Sequence, residues 1–125
     1  MYLIASRPDI MWAMGCCSRF QSNLKQYHES AVKRIFRYLK GTTKLGLWYP
    51  KTDNFDLIAY SDSDHAGCRI DRKSVSGGYQ FLGNRLVSWQ SKKQTTVSIS
   101  TAQAEYTATS SCCCQVLWIQ NQLLD

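Results

Sequence analysis

Ser76-Gly77-Gly78-Tyr79-Gln80-Phe81-Leu82-Gly83-Asn84-Arg85-Leu86-Val87-Ser88-Trp89-Gln90 reads as two strands joined by a tight turn. Its tyrosine, phenylalanine, valine and tryptophan suit a pleated, half-buried surface. Gly83-Asn84 tolerates the left-handed backbone of a two-residue hairpin loop. The strands are placed at 76–82 and 85–90. Outward toward the N-terminus, 56–61 reads as a third strand and 45–49 as a short aromatic stretch. Outward toward the C-terminus, Val97-Ser98-Ile99 leads into Ser100-Thr101-Ala102-Gln103, which fits a capping box. A helix is expected from Thr101 to about Leu124, with Ala104, Ala108, Cys112, Leu117 and Ile119 on its packed face.

Residues 1–50 read as helical. Pro8 suits a first helical turn, and Ile10, Met11, Met14, Cys17 and Phe20 follow at helical steps. A second helix is placed at 28–40, with Ala31, Val32, Ile35, Phe36 and Leu39 on one apolar face. Lys33, Arg34, Arg37 and Lys40 lie largely off that face, and Gly41 is a good stop. The order is two N-terminal helices, three antiparallel strands and one long helix, an α+β or α/β arrangement. The boundary is expected near 50–55, dividing the chain into 1–52 and 53–125.

A chain of 125 residues fits one ordinary domain, and 44% hydrophobic residues argue against wholesale disorder. A net charge of +6 favours a polyanionic partner, nucleic acid before an anionic membrane. The six cysteines fall as Cys16-Cys17, Cys68 and Cys112-Cys113-Cys114. Neighbours on a helix point about 100° apart and converge poorly on one metal. They read as small packed thiols in a reducing compartment. No signal peptide or 18-residue apolar run is seen, so an intracellular chain without a membrane span is expected.

Tyr60-Ser61-Asp62-Ser63-Asp64-His65-Ala66-Gly67 delivers Asp62 at a strand end. A carboxylate held there is what a hard divalent cation needs, although acid-rich turns are usually only solvated. Glu105 lies in the second turn of the capped helix, where a plain dipole-favoured acid is the bland explanation. The surroundings alter that balance. Tyr60-Ser61-Asp62, Asp71-Arg72-Lys73-Ser74-Val75-Ser76-Gly77-Gly78, Val87-Ser88-Trp89-Gln90-Ser91-Lys92-Lys93-Gln94 and Ser100-Thr101-Ala102-Gln103-Ala104-Glu105-Tyr106 occur in order. This series resembles the RNase H domain at the C-terminal end of copia-type retrotransposon polyproteins, with a plant-like look. Ser6-Arg7-Pro8-Asp9-Ile10, Ser18-Arg19-Phe20 and Lys33-Arg34-Ile35-Phe36-Arg37-Tyr38-Leu39-Lys40-Gly41-Thr42 resemble the stretch that ends the reverse transcriptase there.

The resemblance implies a truncated RNase H-like fold over 53–125, behind a reverse-transcriptase tail over 1–52. It implies hydrolysis of RNA in RNA–DNA hybrids with Mg²⁺ or Mn²⁺. Asp62 matches the first-strand aspartate and Glu105 the glutamate of the first helix, both catalytic and metal-binding, with Asp64 a candidate supporting ligand. Two ions about 4 Å apart would clamp the attacking water and the leaving oxygen. The family's third and fourth acids have no counterpart before Asp125, Gln103 stands where many relatives have glutamate, and Met1 reads as an internal methionine. Little turnover is therefore expected of the chain alone. The family's fourth strand pairs with the first, so 56–61 is expected to have an open edge that invites self-association. Arg72, Lys73, Lys92, Lys93, Lys33 and Arg37 are candidates for phosphate contacts with a nucleic-acid partner, as is Arg69; the remainder of the polyprotein is the other partner implied. His65 reads as a turn or packing residue. The competing readings are a decayed remnant that only binds nucleic acid, and an interaction protein reusing the fold.

Overall fold

The computed structural model describes residues 2–67 and 71–125. The described residues form an α+β arrangement of four α-helices and one three-stranded antiparallel sheet. It divides into two compact units, Met1–Leu47 and Trp48–Asp125.

In the first unit the helix expected to open at Pro8 does begin there, as a 3₁₀ turn, and a further short helix precedes it. Proline has no N–H and pushes its predecessor out of the helical region, and Arg7 sits at φ −131°, ψ 82°. The result is α1 (Tyr2–Ser6), a 3₁₀ turn at Pro8–Ile10, and α2 (Met11–Ser18). Ile10 and Met11 are buried, while Met14, Cys17 and Phe20 are half-buried. The next helix, α3 (Gln26–Gly41), starts two residues before the expected His28. His28 explains the difference. Its Nδ1 accepts from the Lys25 N–H at 3.1 Å, and its ring stacks on Phe20 at 4.3 Å. On the apolar face Ile35 is buried and Ala31, Val32 and Leu39 are half-buried, but Phe36 is 64% exposed, contrary to the periodicity. Lys33 pairs with Glu29 one turn back at 2.6 Å.

Arg7 is the clasp of this unit. Its guanidinium grips Asp9 through two bonds of 3.1 and 2.8 Å, and donates to the Thr42 carbonyl at 3.2 Å and hydroxyl at 2.8 Å. Tyr38 Oη adds a 2.6 Å bond to Asp9. The Arg7 hydrogen bond, helped by Tyr38 and opposed by partial burial, brings the Asp9 carboxyl down to about 2 from an ordinary 3.8. A carboxyl lowered on folding stabilises the fold fully above its unfolded value and loses that contribution as pH falls through the folded one. Asp9→Asn should therefore cost about 1 kcal/mol at neutral pH, the worth of a well-aligned but partly solvated pair. The difference from the parent should shrink as pH falls from about 4 toward 2. Urea unfolding at several pH values measures it, and a cost that is constant with pH would contradict this account.

The second unit is built on β1 (Leu57–Asp64), β2 (Val75–Leu82) and β3 (Arg85–Lys93), in the order β1-β2-β3. The β2–β3 turn is the one read from Gly83-Asn84, with φ +55° and +63°. The backbone at Gly83 passes close to Asn54, and its N–H donates to the Asp56 carbonyl at 2.9 Å. Residues 45–49 form no strand, although Tyr49 Oη donates to the Leu86 carbonyl at 2.6 Å. Helix α4 (Thr101–Leu124) covers one face of the sheet. Ser100 caps it, accepting from the Gln103 N–H at 3.2 Å, while Gln103 Oε1 accepts from Ile99 N–H at 2.7 Å. Ala104, Ala108 and Cys112 are buried, at steps of four. Their small size lets helix and sheet approach closely. The expected extension of this face fails at Leu117, which is 59% exposed, and Ile119 is half-buried.

Beneath the start of α4, Gln94 is buried and ties three segments together. Its Nε2 donates to Ser76 Oγ and to the Ala104 carbonyl, both at 2.9 Å. Its Oε1 accepts from Ser98 Oγ at 3.1 Å, and its N–H donates to the Ser74 carbonyl at 2.8 Å.

Candidate functional site

Strand alternation decides where the acids of β1 point. Ser61 Oγ lies 3.3 Å from Thr109 Oγ1 on α4, so Leu57, Ala59, Ser61 and Ser63 face the helix. Asp62 and Asp64 share the opposite face with Tyr60, whose ring meets Phe81 edge-on at 5.8 Å. Asp62 is exposed and pairs across the sheet with Gly77, which has no side chain to screen it. Asp64 is also exposed and folds back over Gly67, where a Cβ would collide with its carboxylate. The turn that follows is fixed by His65 Nε2, 3.3 Å from the Ser98 carbonyl, and by Ala66 N–H donating to Ser74 Oγ at 3.1 Å. His65 thus serves packing, as its sequence position suggested.

Glu105 is placed by helix phase. Thr109, on the β1 flank of α4, touches Ser61, and Glu105 lies one turn earlier on that flank. Ser76 pairs with Ser63 and is bridged by Gln94 to Ala104, so Glu105 stands level with Ser63. Asp62 therefore stands on the open face of β1, and Glu105 on the flank of the helix that covers the other face. β1 is an edge strand, unpaired on its outer side among the described residues. Carboxylates are the right donors for a hard cation, but among the described residues no three metal-ligating side chains cluster. The donor chemistry fits Mg²⁺; the number of ligands falls short.

The basic candidates are scattered. Lys33 and Arg37 are exposed on α3 in the first unit. In the second, Arg72 is exposed at φ +58°, while Lys73 is half-buried and its N–H donates to Asp71 Oδ1 at 3.2 Å. Lys93 is ion-paired with Asp71, and Lys92 is exposed on the helix-facing side of the sheet beside Ser76. Arg69 and Cys68 lie outside the described residues. Among the described residues, no helix is long and apolar enough to cross a membrane. Two features escaped the sequence reading: the Arg7–Asp9 clasp and the bridging role of Gln94. The only trace of the second was a lone glutamine closing Ser91-Lys92-Lys93-Gln94.

Comparison with known proteins supplies the relationship. The chain is 39% identical over 124 residues to a Retrovirus-related Pol polyprotein from transposon RE1 of Arabidopsis thaliana. It is 41% identical over 122 residues to the corresponding polyprotein from transposon TNT 1-94 of Nicotiana tabacum. The chain belongs to the copia-type retrotransposon Pol polyproteins. The match takes in 99% and 97% of this chain but only 8% and 9% of those polyproteins. The chain thus corresponds to a small part of a Pol polyprotein. A relative of different scale is Secreted RxLR effector protein 161 of Plasmopara viticola, 40% identical over 95% of this chain and 84% of its own length. No family model and no solved structure matches the chain.

Proposed function

We propose that residues 53–125 are the first part of an RNase H-like nuclease domain, carried behind the end of a reverse transcriptase over 1–52. In the complete polyprotein such a domain hydrolyses the RNA strand of RNA–DNA hybrids. What supports this is the Pol family relationship, together with Asp62 on the edge strand β1 and Glu105 on α4, the helix packed on that sheet. Asp62 and Glu105 are the residues that would hold Mg²⁺, with Asp64 beside them. When bound, paired ions activate water and stabilise the leaving oxygen. The chain's own contribution is to hold both carboxylates on rigid elements, on a strand whose outer edge is free to pair. Arg72, Lys73, Lys92 and Lys93 would contact the hybrid's phosphates, and Lys33 and Arg37 would do so from the first unit. Two carboxylates hold a metal pair poorly, so the 125-residue chain should cleave little. Joined to the segment that follows it in the polyprotein relatives, it should cleave a labelled hybrid with Mg²⁺. Asp62→Asn should then slow cleavage by about 100-fold or more, as loss of a metal ligand does. Equal rates for parent and variant would refute the assignment.

A second reading is favoured by one observation, the effector relative matched along most of its length. On this reading the fold serves as an interaction protein, contacting partners or further copies through the edge of β1. Hybrid cleavage by the extended chain separates the two, because an interaction protein shows none. The free thiols of Cys17, Cys112, Cys113 and Cys114 suit a reducing, intracellular compartment.

A further inference from the structure

We propose that a recess between the ends of β2 and β3 and the first half of α4 binds a phosphate group. The recess has a volume of about 160 Å³, room for about five waters at roughly 30 Å³ each. A tetrahedral oxyanion fits it with part of its hydration shell. Among the described residues, no carboxylate lines it. The inference deepens one part of the proposed reading, the phosphate contact of Lys92, and rests on neither Asp62 nor Glu105, which do not line the recess.

The donors are arranged for an anion. Ser76 and Lys92 are cross-strand partners on the face that α4 covers, and Lys92 brings three N–H donors. Gln94 occupies a lone pair of Ser76 Oγ through its N–H, at 2.9 Å, which leaves the Ser76 hydroxyl hydrogen to donate elsewhere. Gln94 is itself buried and held by Ser98, so that preference is built in. Thr95 and Ser111 bring further hydroxyls to the rim. Thr107 Oγ1 donates to the Gln103 carbonyl at 3.0 Å, so this hydroxyl has no hydrogen left for a ligand. Lys93 is paired with Asp71, leaving Lys92 as the recess's uncompensated charge. One ammonium with several hydroxyl donors suits a phosphate oxyanion and repels a metal cation.

The shared chemistry is a phosphate, either as a small anion or in a polynucleotide backbone, and a titration separates the two. Inorganic phosphate is added at constant ionic strength to the ¹⁵N-labelled 125-residue chain. The Ser76, Lys92, Thr95 and Ser111 amides should shift along one saturating curve. Lys92→Gln should weaken that curve about tenfold, the worth of one charge-assisted hydrogen bond. Lys44→Gln, at an exposed position in the other unit with no proposed contact, should leave it unchanged. Ser111→Ala, at an exposed helical position, should weaken it with no change in fold. An eight-residue oligothymidylate that moves the same amides identifies the backbone source; if only phosphate moves them, the ligand is a free phosphate or monoester. Shifts that do not saturate, that spread equally over the lysines, or that survive Lys92→Gln unaltered would overturn the proposal. The titration needs neither Mg²⁺ nor cleavage, so a failed nuclease assignment leaves this result readable.

Discussion

Replacing Gln94 with leucine should cost the chain about 2–4 kcal/mol of stability, read as a lower urea midpoint with an unchanged slope. Leucine matches glutamine roughly in volume but makes none of its bonds. Three side-chain hydrogen bonds disappear together: those to Ser76 Oγ and the Ala104 carbonyl, and the one received from Ser98 Oγ. Each is worth about 1 kcal/mol net, and a hydroxyl left buried without a partner costs more than the bond itself gave. Ser98 is 6% exposed, so water cannot readily replace the lost acceptor. The network also joins β2, the end of β3 and the first turn of α4, and linked bonds fail together. The backbone bond from residue 94 to the Ser74 carbonyl survives, which keeps the effect on the side chain. A variant as stable as the parent would show that packing, and not this network, fixes α4 on the sheet.

A loss of similar size, about 2–4 kcal/mol, is expected for Gly83→Val. Gly83 has φ +55°, a region that β-branched residues adopt only under strain. A Cβ there would also overlap the Asn54 carbonyl oxygen. The segment before β1 would have to move, taking with it the bond from Gly83 N–H to the Asp56 carbonyl. Asn84 supplies the contrast. It too has positive φ, at +63°, but no such crowding is imposed on it by its type, so Asn84→Gly should lie within about 0.5 kcal/mol of the parent. Thermal unfolding of the two variants side by side tests the argument, and similar midpoints for both would refute it.

These two positions show what could be read from the chain and what could not. Gly83-Asn84 between aromatic and apolar runs announces a hairpin because local chemistry alone sets that turn. Ser100 and Gln103 announce the start of α4 for the same reason, although Gln103 bonds Ile99 and not the cap residue itself. Phe36 was misplaced because helical phase reveals a stripe and not whether anything covers all of it. Leu117 fails likewise, since the small-residue contact of α4 ends near Cys112. The candidate site is legible as residue types and as a family resemblance. Its geometry is not. That Asp62 lies on one face and Glu105 on the flank of a helix over the other depends on the register of β1 with β2, which local sequence does not state. The pairing of Lys92 with Ser76 is hidden in the same way.

The clasp at Arg7 has a consequence for how the first unit opens. Residues 7 and 42 are held together across 35 positions, so the guanidinium, with the Tyr38–Asp9 bond beside it, draws the segment between them closed like a purse. Closing a loop of that length costs entropy once, and the cost grows only slowly with length. Breaking the Arg7–Thr42 bonds frees both ends of that loop together. The entrance and the exit of this unit share one latch, and protonating Asp9 loosens both in a single step.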